Sequence, residues 1–374
     1  MLLRKKRRNS RFLRSVADIG RLVTGVNAMS QCILHVGMRK TGSSSIQATL
    51  EKHLDPEKYA LMLAPRANVS DALRIAFEDP EKSAMRKMAI PSRDTVDHFR
   101  KRKQSALNHF KSFFADNADR SVIVSAEGFE NLDLSEVRDL LSLVPHDDIT
   151  IICYIRAPHS AMESLLQQRI KTGGTSFSDA SSLIPHYRRI LKKYQELPAK
   201  FQPVYFDRAS LINGCAVQDF FHRVGLDVAP TDVQNTNESI TYEALSLIFA
   251  MNRWRVANNR RPAEWRKVRK WIRGFGGRKL SIHPDLYQSA SALRQEDILW
   301  AEKLLGVEFP SRQAREQDMT SLNELTEVCD EAVAWLRDKV GGDFADLGHA
   351  ASESFERFLA LDNKRRRSES RQIA

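Results

Sequence analysis

The 374-residue chain predicts an α/β protein, a parallel sheet with helices on both faces, carrying a helical insertion and a long helical C-terminal part. Three observations support this class. Short, nearly continuous apolar runs recur at 33–36, 121–125, 149–155 and 201–206, the pattern of strands buried on both faces. The first, third and fourth runs lead into segments of helical period rather than into hairpin turns. The first run also passes through a Gly-rich turn straight into a helix whose opening residues are hydroxyl-bearing.

Composition bounds the rest. Apolar content of 42% and charged content of 28% are those of a globular chain, and a net charge of +11 suits a surface that meets polyanions, nucleotides or acidic headgroups. Cys32, Cys153, Cys215 and Cys329 lie far apart with no C-x-x-C pair, so a reducing compartment and no structural zinc are expected. Residues 1–30 hold eight Lys or Arg against the single acid Asp18 and read as a basic, disordered arm. Peripheral contact with an anionic membrane face is its other reading. No signal-length apolar core precedes Gln31, and no later stretch approaches the roughly 20 apolar residues of a membrane span. A cytoplasmic protein is expected, with residues 31–350 as one domain and 351–374 as a polar basic tail.

The organising stretch is CILHVGMRKTGSSSIQATL, from Cys32 to Leu50. Ile33, Leu34 and Val36 form the strand, and Ile46, Leu50 and Leu54 recur at i, i+4 and i+8 on one helix stripe. A helix start leaves N–H groups without partners and gathers partial positive charge, so it holds an anion by backbone alone. Gly37 and Gly42 allow the close approach. The G-x-x-x-x-G spacing is that of the nucleotide-triphosphate loop, but Ser43 and Ser44 follow Gly42 and the lysine stands earlier, at Lys40. An ordinary turn in a Rossmann-like sheet is the plain alternative.

This G-x-x-K-T-G-S-S-S-I-Q segment resembles the 5′-phosphosulfate-binding loop of sulfotransferases that use 3′-phosphoadenosine 5′-phosphosulfate (PAPS). Bacterial and carbohydrate sulfotransferases commonly carry K-T-G-T-T-S there, often with Pro before the lysine. Here Arg39 takes the Pro position and Ser replaces both Thr, keeping the hydroxyls. The resemblance implies a P-loop-type sheet, a donor held by Arg39, Lys40, Thr41, Gly42, Ser43, Ser44 and Ser45, catalysis by Lys40, and no metal.

Residues 55–120 read as a largely helical excursion, with Phe99, Ala106, Phe110 and Phe113 near helical period as core. In similar sulfotransferases such a segment covers the acceptor. The second strand delivers Glu127 to the carboxyl end of the sheet, where ligands of open α/β folds bind. SAEGFENL looks like the S-S-E segment of bacterial sulfotransferases, which makes Glu127 a candidate base; ordering of the loop, or pairing with Lys40, is an equal alternative. His35, on a strand, is a weaker base candidate and reads as a packed core histidine.

After the third strand comes Arg156-Ala-Pro-His-Ser-Ala-Met-Glu-Ser164. Sulfotransferases read the 3′-phosphate of PAPS with an Arg at a strand end and a Ser eight residues on, and Arg156 with Ser164 matches that spacing. Pro158 starts the helix, and a guanidinium forks two parallel bonds onto a phosphate. Ser160, Ser164, Gln168 and Lys171 share a polar stripe that a solvated face explains equally well. Asp207 reads as a turn cap. Residues 253–279 hold eleven Lys or Arg with Trp254, Trp265 and Trp271. A solvated face, a polyanion site, or an Arg273-Gly274 or Arg278-Lys279 contact to the 3′-phosphate are its readings.

The expected activity is sulfuryl transfer from PAPS to a hydroxyl or amine, leaving 3′,5′-ADP, with a carbohydrate or glycolipid as acceptor and no nucleic-acid partner. A P-loop kinase using ATP and Mg²⁺, or a non-catalytic polyanion-binding protein, are the alternatives.

Overall fold

The computed structural model describes residues 30–87, 93–177, 179–226, 232–234, 240–257, 272 and 275–326. The basic arm to residue 29 and the tail beyond residue 326 lie outside them. So do Trp265, Trp271, Arg273, Gly274 and most of the basic stretch around them.

Five strands form one parallel sheet in the order β2-β3-β1-β4-β5: β1 Gln31–Val36, β2 Tyr59–Leu61, β3 Ser121–Ala126, β4 Asp148–Ile155 and β5 Lys200–Tyr205. β1 is central, with Leu34 opposite Val124 on one side and Ile151 on the other. The loops that leave β1, β3 and β4 therefore end side by side at the carboxyl edge. Because the chain turns to β2 and β3 after β1 and then crosses to β4, this edge is the switch point where open α/β sheets bind ligands.

Side chains alternate between two cores, so both faces must be covered. On one face Ile33, Ile123, Ile152 and Tyr154 pack against Ile46 and Leu50 of α1 (Ser43–His53) and Phe220 of α8 (Ala216–Arg223). Burying Ile46 and Leu50 contributes about 1.5–3 kcal/mol each, which seats α1 under the loop before it. On the other face Leu34, Val124, Ile151, Cys153 and Ile155 meet a larger set of helices. These are α2 (Ser70–Phe77), α4 (Arg93–Asp116), α5 (Leu134–Leu141), α6 (Pro158–Lys171) and α7 (Tyr187–Gln195), with α3 (Pro80–Lys87) packed outside them on α2 and α4. The C-terminal part adds α9 (Tyr242–Ala257), α10 (Pro284–Ser291) and α11 (Gln295–Leu305) to that face.

The insertion differs from the reading of residues 55–120 as helical in one respect. Tyr59–Leu61 forms an edge strand on β3, and three residues are too few to show a period of two. Of the residues expected as core in α4, Phe99 and Phe110 are buried and Ala106 and Phe113 are half-buried against the same core, while Phe114, not singled out by sequence, is buried. Asp207 accepts the Ala209 N–H at 2.9 Å and caps its turn. Among the described residues no helix is long and apolar enough to cross a membrane.

Candidate functional site

The loop from Gly37 to Gly42 is bent by backbone rather than by side-chain caps. Lys40 and Gly42 both take the left-handed conformation, at φ 66° and 85°, and Gly42 caps α1 with no side-chain hydrogen bond. The Gly42 carbonyl accepts from Ser45 at 2.9 Å and Ile46 at 3.1 Å, so of the first-turn N–H groups those of Ser43 and Ser44 are left without an intrahelical acceptor. No acidic residue lies in that turn to neutralise it. Gly37 is required by a close approach: a Cβ there would stand 2.1 Å from Ser43 Oγ.

Ser43 supplies the clearest sign of a ligand. The residue is only 2% exposed, yet its Oγ has no hydrogen-bond partner among the described residues. A buried orphan hydroxyl costs about 1–3 kcal/mol, and it lines a cleft of about 570 Å³ together with Lys40, Gly42, Ser44 and Glu127. Thr41 does something else: its buried hydroxyl donates to the Met38 carbonyl at 2.7 Å and closes the loop on itself. Ser45 does not line the cleft.

Glu127 opens the short 3-10 turn Glu127–Asn131 that leaves β3. Two side chains fix this turn. Ser70 Oγ accepts the Gly128 N–H at 2.9 Å, and the buried Lys193 ammonium donates to the Phe129 carbonyl at 2.7 Å and to Leu132. Burial pulls Lys193 down to a pKa of about 8. Burial and then Glu130 push the Glu127 carboxyl above its usual range, opposed by Arg39 and Lys40. Arg39 is itself engaged, donating Nε to Glu130 at 2.6 Å. It stands at the cleft wall as an ion pair, an arrangement its place before the lysine does not reveal.

Arg156 comes to the same place from β4. Its guanidinium lies 4.8 Å from the Phe206 ring centroid, and Phe206 reaches within 3.7 Å of where a Gly42 Cβ would be. Burial lowers its pKa, with Glu163 and Tyr187 opposing. Among the described residues it forms no ion pair, and a desolvated cation in that state calls for an anion. Ser164, on α6, makes no side-chain hydrogen bond among the described residues and lines neither cleft described here. Arg156 lines a second cleft of about 410 Å³ that shares Arg39, Glu130, Asn131 and Gln168 with the first.

His35 is fully buried, in keeping with its reading as a core histidine: Nδ1 lies 2.8 Å from Ser125 Oγ, burial drops its pKa to about 3, and it lines neither cleft. Arg278 stacks 4.0 Å from the Tyr242 ring centroid and donates to the Gln317 carbonyl at 2.6 Å, so it braces the C-terminal part. Lys193, Glu130 and Arg189 were not singled out by sequence. The one available signal was Lys193 on the inward stripe of α7 with Tyr187, Ile190 and Tyr194. No family model matches the chain, and comparison with curated proteins and with solved structures found no match.

Proposed function

We propose that this chain transfers a sulfuryl group from PAPS to a hydroxyl or amine acceptor, a carbohydrate or glycolipid, leaving 3′,5′-ADP. The observation that carries the reading is the buried, unpartnered Ser43 hydroxyl at a helix start bounded by Gly37 and Gly42, with Lys40 and Glu127 on the same cleft. Arg156, stacked beside Gly42 and unpaired among the described residues, suits the second phosphate of such a donor.

Bound PAPS supplies a sulfuryl group on a phosphate leaving group. The first-turn N–H groups of α1 with Ser43 and Ser44 hold the 5′-phosphate, and Arg156 holds the 3′-phosphate. Glu127 takes the acceptor's proton as the new oxygen–sulfur bond forms, a contribution of roughly 10²–10⁴ in rate. Lys40 neutralises the charge that gathers on the bridging phosphate oxygen as the old sulfur–oxygen bond breaks. The raised carboxyl of Glu127 makes it a stronger base than an exposed glutamate.

A thermal-shift titration with 3′,5′-ADP, compared with 5′-ADP and with ATP·Mg²⁺, tests the donor class, since a ligand of the folded state stabilises it by RT ln(1 + [L]/Kd). The expected result is a shift for the 3′-phosphorylated nucleotide that Arg156→Ala abolishes, while Lys40→Ala keeps the shift and loses turnover. A larger shift with ATP·Mg²⁺ would instead indicate a kinase.

A further inference from the structure

The second cleft shares Arg39 and Arg156 with the donor reading but extends past them to Arg169 and Arg189, which that reading does not use, and its chemistry differs from that of the loop. Met38, Leu165, Leu183, Ile184 and Ile190 give it an aliphatic floor. Its charged rim is Arg39, Arg156, Arg169 and Arg189 against the single acid Glu130. Glu130 is already taken by Arg39. Among the described residues the other three arginines form no ion pair, so the cleft carries uncompensated positive charge over an apolar base.

Two of its groups are held in advance. Arg169 donates Nη1 to Ser182 Oγ at 2.9 Å, and Ser182 Oγ in turn donates to the Asp179 carbonyl at 2.6 Å. Arg294 donates to His186 Nε2 at 2.7 Å, which fixes that nitrogen as an acceptor. Burial, then Arg294 and Arg189, hold His186 below its usual pKa, with Asp297 opposing. The local field at His186 is therefore positive, in line with the arginine count. A rim pre-set in this way loses less rotamer freedom on binding.

We propose that this cleft is the acceptor subsite and takes an organic anion with an aliphatic or sugar skeleton, its carboxylate, sulfate or phosphate group held by Arg169 and Arg189. The acceptor role rests on the sulfuryl-transfer reading. Cleft and loop share the Arg39–Glu130 wall, so a molecule seated on the aliphatic floor extends its hydroxyl past that wall toward Glu127. A neutral acceptor of the same skeleton would leave the arginines unmatched.

Octyl glucuronide, octyl glucoside phosphate and octyl glucoside sulfate, each below its micellar concentration, are titrated against neutral octyl glucoside by calorimetry with 3′,5′-ADP present. The comparison of the three anions identifies the headgroup. The preferred anion is expected to bind at least about tenfold tighter than the neutral glycoside, and Arg169→Gln/Arg189→Gln to remove that preference, at about tenfold per arginine. The double variant should retain its melting temperature and its 3′,5′-ADP shift, since neither residue lies in the loop. Equal binding of neutral and anionic glycosides, or a preference that survives the double substitution, overturns the inference while the donor response still stands. Anion preference without any 3′,5′-ADP response upholds the cleft's specificity and overturns the acceptor role.

Discussion

The loop that opens α1 and the arginine rim of the second cleft both favour anions, and they are built from opposite materials. The loop uses backbone N–H groups and one buried hydroxyl, held by left-handed Lys40 and Gly42 and by the glycine at Gly37. The rim uses long guanidinium side chains, two of them, Arg39 and Arg189, exposed, carried by two loops and two helices. A backbone site has little freedom left to lose and is shielded by the sheet, whereas a side-chain site is adjustable and screened by salt. The first selects by shape and position, the second by charge. Raising ionic strength should therefore weaken rim ligands more than a nucleotide on the loop.

Gly37→Ala is the most damaging single test of this contrast. The added methyl would stand 2.1 Å from Ser43 Oγ and 3.1 Å from Ser43 Cβ, so either Ser43 or the loop must move. The expected outcome is loss of 3′,5′-ADP binding by more than about 100-fold, in keeping with the loss of several charge-assisted bonds at once. Anion binding in the second cleft should be unchanged. Calorimetry with both ligands checks this, and a parallel loss at the rim would mean that the two regions are one site.

The same contrast explains what was legible in the sequence. Strands β1, β3 and β4 were visible because burial on both faces forces continuous apolar runs, while β5, half-buried at the sheet edge, was visible from its FQPVYF run alone. The loop was visible because left-handed turns and close approaches demand glycine at fixed spacing. Arg156 was visible as an arginine at a strand end, whereas Ser164, matched to it by a spacing of eight, lines neither cleft. None of those signals exists for a side-chain rim. Arg169 and Arg189 sit on different helices, α6 and α7, and only the fold brings them to one cleft. Arg39 shows the same limit from the other side, since its partner Glu130 is 91 residues away. Edge strand β2 escaped notice because its pairing, not its own composition, makes it a strand.

Glu127 lies between the two regions and gives the next largest effect. Its folded pKa is raised, so its contribution to stability is present below the ordinary carboxylate range and is lost as pH rises through the folded value. Above its folded value the half-buried carboxylate, once ionised, therefore weakens the fold. Glu127→Gln is expected to raise the melting temperature near neutral pH, with the gain shrinking as pH falls toward about 4.3, the ordinary Glu value. Turnover should fall roughly 10²–10⁴-fold in the same protein. A more stable and much less active variant identifies a strained functional carboxylate. A less stable one would show that Glu127 serves only to order the turn.

Thr41→Val gives the smallest expected effect and separates the loop's frame from its contacts. The hydroxyl faces the Met38 carbonyl, not the cleft, and Val keeps the volume while removing the donor. Stability should fall by about 1–3 kcal/mol, the range for leaving a buried carbonyl unmatched. Affinity for 3′,5′-ADP should drop less than about tenfold, because Gly37, Gly42 and the left-handed Lys40 still set the loop's path. Denaturant unfolding and calorimetry on one preparation give both numbers. If affinity falls further than stability, Thr41 reaches the ligand after all, and the loop, like the rim, reads its anion through side chains.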